Sequence, residues 1–350
     1  MNDKTKKRGL TYADSGVDID AGEAAVEQIK KLAAGTFNAN VLRGIGAFGG
    51  FYQTDFGAMK EPVLISSSDG VGTKVKLAFM TDKHNTVGED LVNHCVDDIL
   101  VHGARPLFFM DYIATGKLRP EVVAEVVSGL ARGCRTAGMP LLGGETAEMP
   151  DMYRPGEYDL AGFIVGVVDK AKVVNGDTIK EGDICLGLAS TGLHTNGYSL
   201  ARKVAFEIAG CKPDEYVDDL GATVAEALMA VHRCYAPSIR PLLEEFDIHG
   251  MAHITGGGIP GNLNRIMPEG LGAVVSKSSW EVPPVFVWLR EKGNLDPVDT
   301  YRTFNMGIGY CLVVPPEQAD AIRAGLEDRG ETVRRIGHVE RRPQPVTLVD

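Results

Sequence analysis

The stretch Ser68-Asp69-Gly70-Val71-Gly72-Thr73-Lys74 brings a carboxylate, two glycines, a hydroxyl and an ammonium group together, directly after the strand-like run Val63–Ser66. Glycines let the backbone bend and bring N–H groups close to an anion, so Gly70, Gly72, Thr73 and Lys74 form a candidate phosphate loop. The GxxxxGK[ST] spacing of a P-loop is absent, and Asp69 would repel a bare phosphate. A divalent cation removes that conflict, because Mg²⁺ commonly takes one or two protein carboxylates and leaves its other positions to nucleotide oxygens. A plain strand-to-loop turn with a capping aspartate would use the same residue types.

A second carboxylate comes from the helical pattern Val87–His102. At about 100° per residue, Leu91, Val92, Cys95, Val96 and Ile99 share one face, while Asp90, Asn93, His94 and Asp97 share the other. Asp90 and Asp97 are expected in water. Asp98 falls at the edge of the apolar arc, where a carboxylate is costly unless paired or metal-bound, which makes it the better functional candidate. Two more acids follow apolar runs: Asp111 after Leu107–Met110, and Glu145 after Leu141-Leu142-Gly143-Gly144. Ligands of α/β sheets gather at the carboxyl ends of strands, so Asp69, Asp111 and Glu145 are expected to converge there with Asp98. Several acids without a His/Cys cluster favour Mg²⁺ over zinc.

Gly44-Ile45-Gly46-Ala47-Phe48-Gly49 is a literal GxGxxG, but a dinucleotide fingerprint needs a strand before it and a helix after it. Only Val41-Leu42 precedes, and the turn-like Phe51–Gly57 follows, so the segment reads as a flap over phosphates or as an ordinary loop. In the second half, Ser190–Gly197 and Thr255–Gly258 each join a strand to a helix start and offer hydroxyls, an amide and backbone N–H groups: Thr191, Asn196, Thr255, Gly256 and Gly257. A substrate phosphate could sit at either loop. His194 and His253 are candidate acid–base groups, though a lone histidine is more often a hydrogen-bonded structural residue.

These residues need elements to hold them. A helix is expected over Ala21–Ala34, followed by strand Val63–Ser66, helix Val87–His102, strand Leu107–Met110, helix Pro120–Ala137, and strands Pro140–Leu142 and Phe163–Val168. After a turn-rich stretch beyond Asp169 come strand Ile184–Ala189, helices Tyr198–Ala209 and Val224–Leu243, strands His253–Ile254, Gly272–Val275 and Ile308–Val314, helix Pro316–Arg329 and a strand near Val346. The pattern is α/β with two domains, 1–170 and 171–350, as a chain of 350 residues suggests.

Composition narrows the class. The net charge of −11 argues against a nucleic-acid partner, which would need a basic stripe. Lys4, Lys6, Lys7 and Arg8 imitate the start of a signal peptide, but aspartates occupy Thr11–Asp20 where an apolar core should follow. No apolar run approaches the roughly 20 residues of a bilayer span. The six cysteines are scattered without CxxC spacing, which fits reduced thiols in a cytoplasm.

Eight ordered stretches carry a family resemblance: Tyr12–Asp20, Ser68–Lys74, Cys95–Ile99, Phe108–Lys117, Gly143–Tyr153, His194–Leu200, His253–Gly258 and Tyr301–Gly309. Together the chain resembles the phosphoribosylformylglycinamidine cyclo-ligases, or aminoimidazole ribonucleotide synthetases, of purine biosynthesis. The resemblance implies a homodimer whose N-terminal sheets close a shared β-barrel, with each C-terminal α/β domain outside it. It implies that formylglycinamidine ribonucleotide and ATP give aminoimidazole ribonucleotide, ADP and phosphate. It assigns Asp69, Asp98 and Glu145, with Asp111 less securely, to Mg²⁺ and triphosphate, the Gly70–Lys74 loop to phosphates, and Lys30 with the loop around Gly46 and Gly49 to a nucleotide cover. One departure is Asp97, where the family often has Asn. Selenophosphate synthetases of the same superfamily usually carry a reactive cysteine before a glycine-rich N-terminal loop, and here no cysteine precedes Cys95. A non-catalytic nucleotide sensor would need no set of metal carboxylates.

Overall fold

The computed structural model describes residues 9–46 and 48–350; the basic segment Lys4–Arg8 and Ala47 of the glycine loop lie outside the described residues. Helix α1 (Ile19–Ala34) precedes a short ribbon of Val41–Arg43 and Phe51–Tyr52. Then come β1 (Pro62–Gly70), α2 (Val75–Thr81), α3 (Val87–Leu100), β2 (Arg105–Thr115), α4 (Pro120–Ala137), β3 (Leu141–Glu148) and β4 (Tyr158–Asp169). The four strands form one sheet in the order β1-β4-β2-β3, antiparallel except for β2 and β3. The second half builds a six-stranded sheet, β6-β8-β5-β9-β7-β10, from β5 (Ile184–Ala189), β6 (Gly250–His253), β7 (Leu271–Ser276), β8 (Ile308–Val314), β9 (Val333–Arg341) and β10 (Val346–Val349).

Helices α3 and α4 cover one face of the first sheet. Proline at the first position of α4 and left-handed Gly138 after its end mark both boundaries, as the sequence suggests. The two helices approach closely because α3 carries Gly88, where a Cβ would stand 2.1 Å from the Val126 carbonyl of α4. The other sheet face is bare, with Leu64 and Phe163 exposed. One apolar core continues from α3 and α4 into the second half, where Leu186, Leu188 and Leu312 face it; Cys185, Cys311 and Val313 alternate onto a second core beyond the sheet.

Several expectations change. The supposed helix Val224–Leu243 is two short helices, Val224–Leu228 and Ala236–Ile239, with a tight turn Arg240–Glu244 after them. Pro237 and Pro241 lack the N–H groups a continuous helix would use, and the irregular Ala230–Tyr235 joins the pieces. Tyr198–Ala209 begins as an α-helix and continues as a π-turn over Lys203–Ile208. Helix α2, strand β9 and the helices Pro284–Gly293 and Pro297–Thr303 have no counterpart in the expected element list.

The largest correction concerns the polar face of α3. Asp90 and Asp97, expected in water, are completely buried because Ala230–Tyr235 lies across them. The Asp90 carboxylate accepts from the His232 amide at 2.7 Å, Asn93 donates to the His232 carbonyl at 2.7 Å, and Asp97 accepts from the Tyr235 amide at 3.0 Å. Residues 90, 93 and 97 form one stripe along the helix, so their side chains satisfy an irregular backbone that has no strand partner.

Lys74 joins this seam. Its Nζ lies 2.8 Å from Asp90 and 2.7 Å from the Ala230 carbonyl, with no exposure to water. Burial pulls the Lys74 ammonium below and the Asp90 carboxyl above their ordinary pKa values, outweighing their mutual attraction. Lys74→Met should therefore lower stability by about 3–5 kcal/mol by stranding Asp90. Denaturant unfolding of Lys74→Met and of Lys74→Met/Asp90→Leu checks this: the double variant should recover stability over the single one.

Candidate active site

Strand β1 presents Ser67 and Asp69 toward α3, and α3 presents His94 and Asp98 toward β1. His94 Nε2 lies 2.6 Å from Asp69 Oδ2 and 3.7 Å from Asp98 Oδ2, while the Ser67 hydroxyl donates to Asp98 at 3.1 Å. The second half completes the cluster. Thr195 Oγ1 sits 2.6 Å from His94 Nδ1 and 3.3 Å from His232 Nδ1. His232 Nε2 is 3.1 Å from His253 Nε2, and His253 Nδ1 is 2.9 Å from Asp98 Oδ1.

The proton inventory of this chain is tightly constrained. A neutral His253 that donates from Nδ1 to Asp98 must accept at Nε2, so His232 donates from Nε2 and accepts at Nδ1. The Thr195 hydroxyl supplies that proton and accepts from His94 Nδ1, leaving His94 with protons on both nitrogens. The pKa directions agree. Burial favours neutral His94, but its bond to Asp69 and the charges of Asp98 and Asp69 win and raise it. Burial would raise Asp69 and Asp98, yet contact with His94 and His253 holds both below the usual carboxylate range. His232 and His253 are lowered, chiefly by burial. An imidazolium thus stands between two ionised carboxylates.

The expected absence of a histidine cluster is overturned: His94, His232 and His253 place ring nitrogens within 4.8 Å of one another, and so do the donor atoms of Asp69, His94 and Asp98. The imidazoles are buried and already hydrogen-bonded to one another, to Thr195 and to the carboxylates. Asp69 and Asp98 keep 44% and 26% of their side-chain surface open. Two ionised, half-open carboxylates beside the Ser67 hydroxyl are a donor set of hard oxygens, which fits Mg²⁺ better than a nitrogen-seeking ion.

Three loops meet at this cluster. Thr73 Oγ1 is 3.1 Å from Ser199 Oγ, and a Cβ on Gly72 would stand 4.0 Å from the Thr195 carbonyl. The two second-half loops adjoin as well, since a Cβ on Gly256 would meet the Asn196 side chain at 3.3 Å. Gly257 has φ +101°, and Thr255 bonds to Asn262 at 3.2 Å. Thr191 sends its hydroxyl to the Val231 carbonyl. His194 is fully buried, stacked on His232 at 4.0 Å, and burial drives its pKa well below the ordinary value. It therefore supports His232 from behind, and Lys74, held by Asp90, points away from the phosphate loop's open side.

The four acids do not converge within one chain. Asp69, Gly162, Asp111 and Gly144 lie opposite one another across the sheet, so Asp111 shares the face of Asp69 but sits two strands away. It is buried beneath the helices, and burial pushes its pKa up to about 7. Glu145 pairs with Tyr112 and therefore points to the bare face, at the far edge strand β3. The glycine loop belongs to that edge too: a Cβ on Gly50 would collide with Leu142, and Lys30 lies beside Gly46. Gly46 and Gly49 are exposed there, and Lys30 lines a groove with Thr146 and Glu148. The segment after Gly49 enters strand Phe51–Tyr52 with no helix, as the rejection of a dinucleotide fingerprint requires.

Comparison with known proteins settles the kinship. The model of the AIR synthase related protein N-terminal domain matches residues 54–168, and that of the C-terminal domain matches residues 180–350. The chain is 52% identical over 331 residues to the phosphoribosylformylglycinamidine cyclo-ligase of Pseudothermotoga lettingae, covering 95% of this chain and 97% of that one. It belongs to the phosphoribosylformylglycinamidine cyclo-ligase family. The cyclo-ligase of Alkaliphilus oremlandii is 48% identical over 339 residues, covering 97% and 99%. Among solved structures, thiamine-monophosphate kinase from Stenotrophomonas maltophilia has the same fold, with TM-score 0.68 at 18% identity over 93% of this chain and 95% of that one. Hydrogenase maturation protein HypE in complex with ATP aligns with TM-score 0.63 at 20% identity, covering 91% and 88%.

Sequence reasoning missed His94, Thr195, Ser67 and above all His232 as parts of this cluster. His94 had a signal, its i,i+4 spacing to Asp98; His232 had none, lying in a stretch that reads as helix. The buried Asp111 carries its own pH signature. Its folded pKa, about 7, exceeds the unfolded value, so the folded state holds the extra proton between about pH 4 and pH 7 and loses stability as pH rises through that window. Asp111→Asn should remove up to about 1.4 kcal/mol per pH unit of that slope, read from urea unfolding across the same range.

Proposed function

We infer that this cyclo-ligase family member closes the imidazole ring of aminoimidazole ribonucleotide at the Asp69–Asp98–histidine cluster, using ATP to activate the formyl oxygen of formylglycinamidine ribonucleotide. That oxygen attacks the γ-phosphorus, ADP leaves, and the ribosylated amine adds to the activated carbon. Phosphate then departs with the former formyl oxygen, turning a poor leaving group into a good one. The observation that carries this reading is the joining of ionised first-half carboxylates to second-half imidazoles where three anion-suited loops meet.

ATP would lie along Asp69–Thr73, and the ribonucleotide phosphate at the adjoining loops Ser190–Gly197 and Thr255–Gly258, whose donors are uncharged. Asp69 and Asp98 would hold Mg²⁺, which when bound offsets triphosphate charge. His94, a cation fixed by Asp69, keeps both carboxylates ionised and places positive charge beside developing phosphate charge. His253 holds Asp98 in place through its Nδ1.

A homodimer completes the site in this reading. Asp69 and Asp98 stand at edge strand β1, whereas Glu145, Lys30 and the Gly46–Gly49 loop stand at edge strand β3, three strand spacings or about 14 Å across. Closing two such sheets into a barrel removes their open edges, buries Leu64 and Phe163, and brings one subunit's β1 group to its partner's β3 group. Asp98→Asn and Glu145→Gln should each lower kcat by about a hundredfold or more with the fold intact. Unfolding and refolding the two inactive variants together tests the arrangement. Half of random dimers are mixed and each holds one intact site, so about a quarter of wild-type activity should return. No recovery would place both groups in the same subunit's site.

A further inference from the structure

A cavity of about 1470 Å³ opens at the other end of the junction between the halves, between Asp55–Met59, the end of β4 and Ala236–His249. It is remote from the imidazole cluster. Asp169, on its wall, pairs with Pro62 at the start of β1, and Asp69 stands seven residues further along that strand, about 23 Å away.

Two guanidinium groups line this cavity, Arg105 at the start of β2 and Arg240 in the turn after Ile239. Among the described residues neither makes an ion pair. Arg105 donates only to the Asp55 carbonyl, at 3.3 Å, and Arg240 has no hydrogen-bond partner. Burial, and then the charge of Arg105, pull the Arg240 guanidinium below its ordinary pKa, as expected for like charges facing each other. The acids of the wall have partners other than the two guanidinium groups: Asp55 accepts from the Gly57 amide at 2.8 Å, Glu244 pairs with Lys172, Asp169 accepts from the amides of Lys60 and Ala171, and Asp247 accepts from Gln318. Glu245 is exposed to water. His249 also lines the cavity, its Nδ1 fixed at 2.6 Å by the fully buried Asp183, which accepts from the Lys180 amide as well.

We propose that this cavity is a second binding site, separate from the cyclo-ligase centre, that takes a phosphate monoester between Arg105 and Arg240. A fork of planar N–H donors left without a carboxylate is the arrangement that binds a phosphate dianion bidentately. Inorganic phosphate would leave most of the volume empty, and the apolar Phe56, Pro241 and Phe246 suit the organic part of an ester.

Hydrogen exchange on the full-length protein tests this, with ribose 5-phosphate, inorganic phosphate and uncharged ribose as probes. Ribose 5-phosphate should slow exchange in residues 55–59 and 240–249 at concentrations well below those inorganic phosphate needs, and ribose should have no effect. Arg240→Gln should raise the required concentration about tenfold, the cost of one charge-assisted hydrogen bond, with turnover unchanged. Arg105→Gln gives the same reading if Arg240→Gln does not fold. The proposal is overturned if neither segment is protected, if protection is unchanged in a folded variant, or if inorganic phosphate protects as well as the ester.

Discussion

The site depends on one seam, the polar stripe of α3 pressed against the irregular backbone of Ala230–Tyr235. Asp90, Asn93 and Asp97 bond to the amide and carbonyl of His232 and to the amide of Tyr235, with Lys74 buried beside them. Hydrogen bonds to charged groups contribute more than neutral ones, and leaving such a group unpaired in the interior is costly. The register between the halves is therefore fixed by groups that cannot slide. From that register follows the place of His232, and through it the orientation of His253 against Asp98.

The seam also explains the division of labour along α3. Its apolar residues seal the first sheet, its polar stripe holds the second half, and the boundary between them carries His94 and Asp98 at the edge of the cleft. One helix thus anchors both domains and supplies the charged centre. The carboxylates stay ionised because they meet an imidazolium and a fixed neutral imidazole, whose contact outweighs the upward pull of burial on both. The first sheet, bare on its other face, leaves Glu145 and the glycine loop at the far edge, three strands away from Asp69.

Much of this was legible in the sequence, to the extent that local pattern governs. The apolar arc of α3, the proline and glycine that bound α4, and the strand Ile184–Ala189 follow from spacing alone. Asp98 stood out because a charge at an apolar edge needs a reason. Asp90 and Asp97 were misread because helical periodicity shows only that a face is polar, and a face that binds backbone looks the same as one in water. The supposed helix over Val224–Leu243 hid His232, since apolar spacing outweighed two prolines. Glu145 was expected beside Asp69 because both follow strands, but the parity of the strand register puts their side chains on opposite faces.

The central claim is that first-half carboxylates and second-half imidazoles act as one unit. A double-mutant cycle on kcat between Asp98→Asn and His253→Ala measures it most directly. If Asp98 and His253 act through their 2.9 Å bond, the double variant should be little slower than the worse single variant. Losses that simply multiply would contradict the account, because the two residues would then be contributing independently.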